Sequence, residues 1–195
     1  MKEIPPMKTL IINGSPKQNG DTAALIDELC RRLDGDIRII SCRDDISPCI
    51  DCRFCWKHEG CAVKDGMQEI YEYLTDCDNV VLASPVWFSS LSGPALNLAS
   101  RFQTYFSARR FRNETVYRKP KKGLILLAGG NAGTEIHPLE AARMILRMAG
   151  CAKEEISAVV SMNTDELPAK DDLRALEQIH QEAERLNQLI SENDI

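Results

Sequence analysis

The segment at residues 49–61 reads CIDCRFCWKHEGC and gathers four of the chain's eight cysteines into thirteen residues. Sulfur atoms this close in sequence can form a disulfide, hold zinc, carry an iron–sulfur cluster or stay free. The spacing is Cys49-x2-Cys52-x2-Cys55-x5-Cys61. Structural zinc sites more often use two Cys-x2-Cys knuckles separated by a longer loop. Three cysteines at consecutive x2 intervals are closer to a cluster-binding run, in which a fourth cysteine can serve another cluster. Here Cys61 is near enough to complete the same site. Arg53, Lys57 and His58 could offset part of the thiolate charge; His58 could also substitute as a ligand, a reading that four available cysteines disfavour. The other cysteines, Cys30, Cys42, Cys77 and Cys151, stand at scattered apolar positions and read as small buried hydrophobes.

Three other segments are suited to holding a phosphorylated, flat ligand. Gly14–Thr22 (GSPKQNGDT) is neither a Walker A loop nor GxGxxG. It is small and polar and leads into a helix, whose first N–H groups can face a phosphate. Ser15 and Thr22 add hydroxyl donors and Asn19 an amide. An ordinary turn capped by Asp21 or Thr22 is the alternative. Ser84–Gly93 (SPVWFSSLSG) combines aromatics with Pro and Ser, which suits a partly apolar ring or simple packing under a loop. Ala128–Thr134 (AGGNAGT) has three glycines that permit close backbone approach to a ligand. His137 and His180 fall on predicted helices; His137, close after the glycine loop, could touch the edge of a bound ring, but a capping or surface role is the favoured reading. No Ser-His-Asp set or paired carboxylates stand out, so no catalytic acid or base is assigned.

The elements that must position these segments alternate. Apolar runs predict strands at Lys8–Asn13, Asp36–Ser41, Asn79–Ser84, Gly123–Ala128 and Ile156–Met162. Helical spacing predicts helices at Thr22–Leu33, Met67–Leu74, Pro94–Phe106, Glu135–Met148 and Asp171–Ile190. Five continuous apolar strands between helices predict a doubly wound α/β sandwich with a five-stranded parallel sheet, order 2-1-3-4-5. In such a sheet the ligand sits beyond the carboxyl ends of the strands, where all three segments fall. A single domain is expected over residues 1–195, with a cysteine-rich loop at about 43–65. The basic stretch Arg109–Lys122 reads as a solvated segment, or as a subunit-contact or cofactor-edge element.

Composition is ordinary for a globular chain, with 44% hydrophobic and 27% charged residues. The formal net charge of −5 argues against nucleic acid or an anionic membrane as the main partner. The opening MKEIPPMKTLIING lacks a signal-peptide pattern, and no apolar run approaches the roughly 18 residues of a membrane span. A cytoplasmic location is expected, where thiols stay reduced, which sets the disulfide reading aside. Asn113-Glu114-Thr115 matches a glycosylation sequon and reads as chance in that setting.

INGSPKQNGDT, SPVWFSSLSGPALN and the later GG-x-x-G together resemble the NADPH-dependent FMN reductase family of flavodoxin-like proteins, over about Lys8 to Gly150. The resemblance implies FMN, with its phosphate at Ser15, Lys17, Asn19, Asp21 and Thr22. It implies a ring held by Pro85, Val86, Trp87, Phe88 and Ser89 and by Gly129, Gly130 and Gly133. Asp21 departs from the family's frequent Asn, and a carboxylate beside a phosphate is unfavourable unless its side chain turns away. Trp87 stands where Tyr is frequent.

The cysteine run resembles that of the iron–sulfur flavoproteins, a branch of the same family. It implies a [4Fe–4S] cluster on Cys49, Cys52, Cys55 and Cys61. It also implies a homo-oligomer, dimer or tetramer, in which cluster and flavin approach across a subunit contact. The first functional reading is therefore an FMN-dependent redox protein moving electrons between NAD(P)H or ferredoxin and a small acceptor. The alternatives are a clusterless NAD(P)H-dependent reductase of flavin or quinone, and a non-enzymatic flavin- or redox-responsive binding protein with reactive thiols.

Overall fold

The computed structural model describes residues 6–190. Residues 1–5, part of the stretch read for a leader, and 191–195, the end of the expected domain, lie outside that range. Five parallel strands form the main sheet: β1 (Lys8–Asn13), β2 (Asp36–Ser41), β3 (Asn79–Trp87), β5 (Lys121–Gly129) and β6 (Cys151–Met162). Their order is β2-β1-β3-β5-β6, and a sixth strand, β4 (Ser90–Leu91), pairs antiparallel with β3. The expectation of five strands in order 2-1-3-4-5 is corrected accordingly. β4 escaped it because two residues carry no periodicity.

The strands alternate side chains between two apolar layers, as the period of two requires. On one face Ile11, Val81, Ala83, Leu124 and Leu126 pack with Leu25, Ile26 and Leu29 of α1 (Asp21–Cys30) and Ala175, Ile179 and Ala183 of α6 (Leu173–Leu186). On the other, Leu10, Ile12, Val80, Leu82, Ile125 and Leu127 meet α2 (Met67–Asp76), α3 (Gly93–Ala99), α4 (Gln103–Ser107) and α5 (Ile136–Met148). Burying both faces explains why the strand sequences are continuous apolar runs. Each fully buried Leu or Ile contributes about 1.5–3 kcal/mol.

Several boundaries differ from the expectation for local reasons. The helix expected over Pro94–Phe106 is divided: α3 ends at Ala99, a 3-10 turn covers Ser100–Phe102, and α4 runs into a π turn at Ala108–Arg112. β3 continues past its expected end at Ser84, through Pro85, to Trp87. β6 starts at Cys151 and runs through polar Lys153–Glu155, where the register with β5 shifts between Lys121 and Gly123.

The basic stretch is only partly solvated. Lys121 is fully buried with Nζ 4.4 Å from the centre of the Tyr117 ring, and burial pushes its ammonium pKa down. Lys122 Nζ donates to the Arg185 and Gln188 carbonyls, a cation at the carboxyl end of α6.

Candidate functional site

The first loop is fastened before any ligand enters. The Asn13 side chain accepts from Ser15 N at 2.9 Å, Ser15 Oγ accepts from Lys17 N, and Arg43 Nη1 donates to Ser15 O. Gly14 is pressed against α3: a Cβ there would lie 2.4 Å from Ala95 Cβ and 3.1 Å from Ala83 O. Ser92 locks the same contact. Its hydroxyl donates to Gly14 O at 2.6 Å and accepts from Ala95 N, capping α3.

This loop delivers the amino end of α1 to the carboxyl edge of the sheet. The N-cap is Gly20, which supplies no side-chain bond, so the alternative of a turn capped by Asp21 or Thr22 does not occur. Amides in that first turn are suited to an anion. The Asp21 carboxylate is committed elsewhere, accepting from Ala169 N at 2.9 Å. That removes the objection to an acidic residue here, since its side chain has its own donor. Thr22 is 2% exposed and lines the adjoining cavity.

The second and third segments complete the cavity. Phe88 and Ser89 form the tip of the β3–β4 hairpin with φ of 52° and 53°. Two positive φ values match the turn that joins twisted strands tightly. They place the Phe88 side chain fully in solvent beside half-exposed Trp87. Gly129 and Gly130 sit close against the ends of neighbouring side chains. A Cβ on Gly129 would meet Met162 Cε at 2.8 Å, and one on Gly130 would meet Asp165 Oδ2 at 2.4 Å.

Ser15, Lys17, Asp21, Thr22, Pro85, Val86, Trp87, Gly129 and Gly130 thus line one cavity of about 740 Å³, open space at its mouth included. Asn19 lines a neighbouring concavity with Lys170, while Phe88, Ser89 and Gly133 do not line the main one. Thr164 and Asp165 also line it, and sequence reading missed them. Asn163, just before them, has φ 62° and accepts from Ala132 N, tying this turn to the glycine loop. An Asn at a strand end was the one local signal for it.

All four cysteines of the 49–61 segment line a second cavity of about 480 Å³, again including its mouth. A platform of α3, α4 and the turns beside them holds the segment. Ser100 Oγ accepts from Cys49 N at 2.9 Å, Thr104 Oγ1 donates to Gly60 O, and Ser107 Oγ lies 3.3 Å from Cys55 Sγ. Arg112 donates to Cys55 O and pairs with Glu114. Asp51 and Arg53 adopt left-handed φ of 50° and 59°, which curls the chain between the cysteines.

Arg53 lies 4.8 Å from the Trp56 ring centre, Trp56 stacks on Phe111, and His58 stacks on Phe54. Among the described residues no three His, Cys, Asp or Glu side chains gather closely enough to hold one metal ion. Elsewhere Cys77 and Cys151 are buried, whereas Cys30 and Cys42 are half-buried. His180 contacts Glu28 at 2.7 Å, and exposed His137 faces Glu140.

The sequence pattern of the NADPH-dependent FMN reductase family matches residues 7–165. The chain belongs to that family. Within it, the chain is similar to two curated iron–sulfur flavoproteins of Methanocaldococcus jannaschii. One is 32% identical over 136 residues, covering 67% of this chain and 66% of that protein. The other is 30% identical over 112 residues, covering 55% and 58%. The chain spans less than two thirds of the length of these relatives. A solved NAD(P)H:quinone oxidoreductase of Methanothermobacter marburgensis superposes with a TM-score of 0.67 at 12% identity, covering 96% of this chain and 99% of that one. At such identity the likeness shows a shared fold. No described helix is long and apolar enough to cross a membrane.

Proposed function

We propose that this chain is a flavin-dependent oxidoreductase that binds FMN in the first cavity and a [4Fe–4S] cluster on Cys49, Cys52, Cys55 and Cys61 in the second. Electrons pass from NAD(P)H or a ferredoxin to a small acceptor. The observation that carries this reading is that all four cysteines line one cavity in a chain of the FMN reductase family. The names of the curated relatives support the cluster.

When bound, FMN exchanges electrons in pairs or singly and the cluster takes them one at a time. The chain's own work is binding and orientation. The uncapped first turn of α1, the Lys17 ammonium and the Thr22 hydroxyl receive the phosphate. Pro85, Val86 and Trp87 on one side and Gly129 and Gly130 on the other flank the flat ring and exclude water from it. No side chain is required to move a proton. The two cavities share no lining residue, which fits a homodimer or homotetramer whose contact brings one protomer's cysteines to its partner's flavin.

The second reading is a clusterless NAD(P)H-dependent reductase of flavin or quinone. It is favoured by the lack of a tight metal-holding group among the described residues. An absorption spectrum with iron and sulfide analysis on protein purified and reconstituted without oxygen separates the two. About four irons and four sulfides per chain over a flavin spectrum supports the cluster. A flavin spectrum without iron selects the reductase. Protein that takes up neither group defeats both.

A further inference from the structure

The cysteine segment has two feet. Ser47 precedes Cys49, while Val63 and Asp65 follow Cys61. One buried side chain holds both. Arg101 Nη1 donates to Ser47 O at 2.7 Å and to Asp65 Oδ2 at 2.6 Å, and Nη2 donates to Val63 O at 3.2 Å. Asp65 extends the tie, accepting from Ser47 N and Met67 N, each at 3.0 Å. Lysine could supply the charge but could not span these acceptors, because only guanidinium is a planar fork.

The Arg101 side chain is wholly buried and lines the cysteine cavity. Its Nε is a buried donor left without a partner, and of the unpartnered buried atoms among the described residues it is the one on a residue that lines the cysteine cavity. A buried charged group with an idle donor is costly, so the fold keeps such a donor where something else completes it. The basic residues inside the segment are placed differently. Arg53 is mostly exposed over Trp56, and His58 stacks on Phe54. Solvent and salt screen such outer charges, whereas buried Arg101 acts through a low dielectric, its charge partly offset by Asp65 at 2.6 Å.

We propose that Arg101 is the positioning residue and the built-in counter-charge of the cysteine cavity. Its two Nη atoms hold the feet of the segment at a fixed separation, and its Nε–H is the donor reserved for a sulfur ligand of the bound group. The counter-charge role rests on the four cysteines being cluster ligands. The positioning role rests only on the hydrogen bonds.

The test compares wild type, Arg101→Lys and Arg101→Gln, all prepared as full-length protein without oxygen. The readouts are iron, sulfide and FMN per chain, the cluster midpoint potential, and amide hydrogen exchange across residues 47–65. Arg101→Gln should keep its FMN, lose most of its iron, and show a lower midpoint potential in the fraction that remains loaded. Losing a positive charge disfavours adding an electron. Arg101→Lys should restore the potential while still exchanging faster across 47–65, because it keeps the charge and loses the fork.

Wild-type iron content and potential in Arg101→Gln would overturn the counter-charge. If Arg101→Gln loses FMN as well and fails to fold, Arg101→Lys decides: wild-type exchange across 47–65 overturns the positioning role. A wild-type protein that binds FMN but no iron defeats the cluster reading and the counter-charge together. Exchange in Arg101→Lys then still decides the positioning role.

Discussion

Arg101 Nη1 and Asp65 Oδ2 lie 2.6 Å apart, with the arginine side chain fully buried and the aspartate 13% exposed. Burial pushes the Asp65 carboxyl up, but the Arg101 hydrogen bond and the Met67 and Ser47 amides outweigh it and hold it below its ordinary value. Removing one partner of a buried pair leaves an uncompensated charge. Asp65→Ala should therefore destabilise the fold by about 3–5 kcal/mol. Urea unfolding of both proteins measures this, and a midpoint unchanged from wild type would show the pair to be idle.

Glu28 provides a pH-dependent increment of stability. Hydrogen bonding by Arg32 is the largest cause, opposed by burial and reinforced by His180 and Arg31, and the carboxyl falls from 4.5 to about 2. A depressed carboxyl stabilises the folded state above its unfolded value and loses that stability as pH falls through the folded value. The thermal-midpoint gap between wild type and Glu28→Gln should be full above pH 4.5 and close on acidification towards about 2. A gap that stays constant over that window would remove Glu28 as its source.

Thr22→Val tests the phosphate loop with little change of shape. The side chain is almost wholly buried yet lines the first cavity. If its hydroxyl bonds the phosphate, FMN affinity should fall by about 1–3 kcal/mol. Titration followed by flavin fluorescence reads this, and an unchanged Kd takes Thr22 out of the contact set.

Gly14→Ala should both destabilise the fold and weaken FMN. The added methyl lands 2.4 Å from Ala95 Cβ, so either the loop or α3 must move. Overpacking of this kind costs about 1–3 kcal/mol. Urea unfolding and FMN titration should shift together, whereas a shift in stability alone would separate the loop's packing from its binding role.

Cys52→Ala isolates the second cavity. Cys52 is exposed, so its loss should change fold stability by less than about 0.5 kcal/mol. Iron content should collapse while FMN content stays that of wild type. Retention of full iron would remove Cys52 from the ligand set.

Much of the scaffold was legible because its signals are local. Lys8–Asn13 and Asp36–Ser41 stand as strands at the expected residues, and the helix expected to begin at Glu135 begins at Ile136. What stayed hidden involved exceptions to local rules. Pro85 stays in β3, Lys121 and Lys122 are buried in β5, and polar Lys153–Glu155 lies within β6. Sheet pairing and lysine partners override polarity at those positions. Asp165 and Thr164 were missed because they reach the first cavity from a turn far along the chain.

By itself, then, the sequence determined the alternation of strands and helices, the grouping of three loops at one sheet edge, and the clustering of four cysteines. Each depends on residues within a few positions of one another, where periodicity and turn chemistry act. Only the tertiary structure decided that the Asp21 carboxylate turns to Ala169, 148 positions away, and that Arg101 rather than Arg53, Lys57 or His58 is the buried cation of the cysteine cavity. Burial and partner choice are settled when separate elements pack together, because low dielectric and fixed donor geometry arise there and local spacing does not encode them.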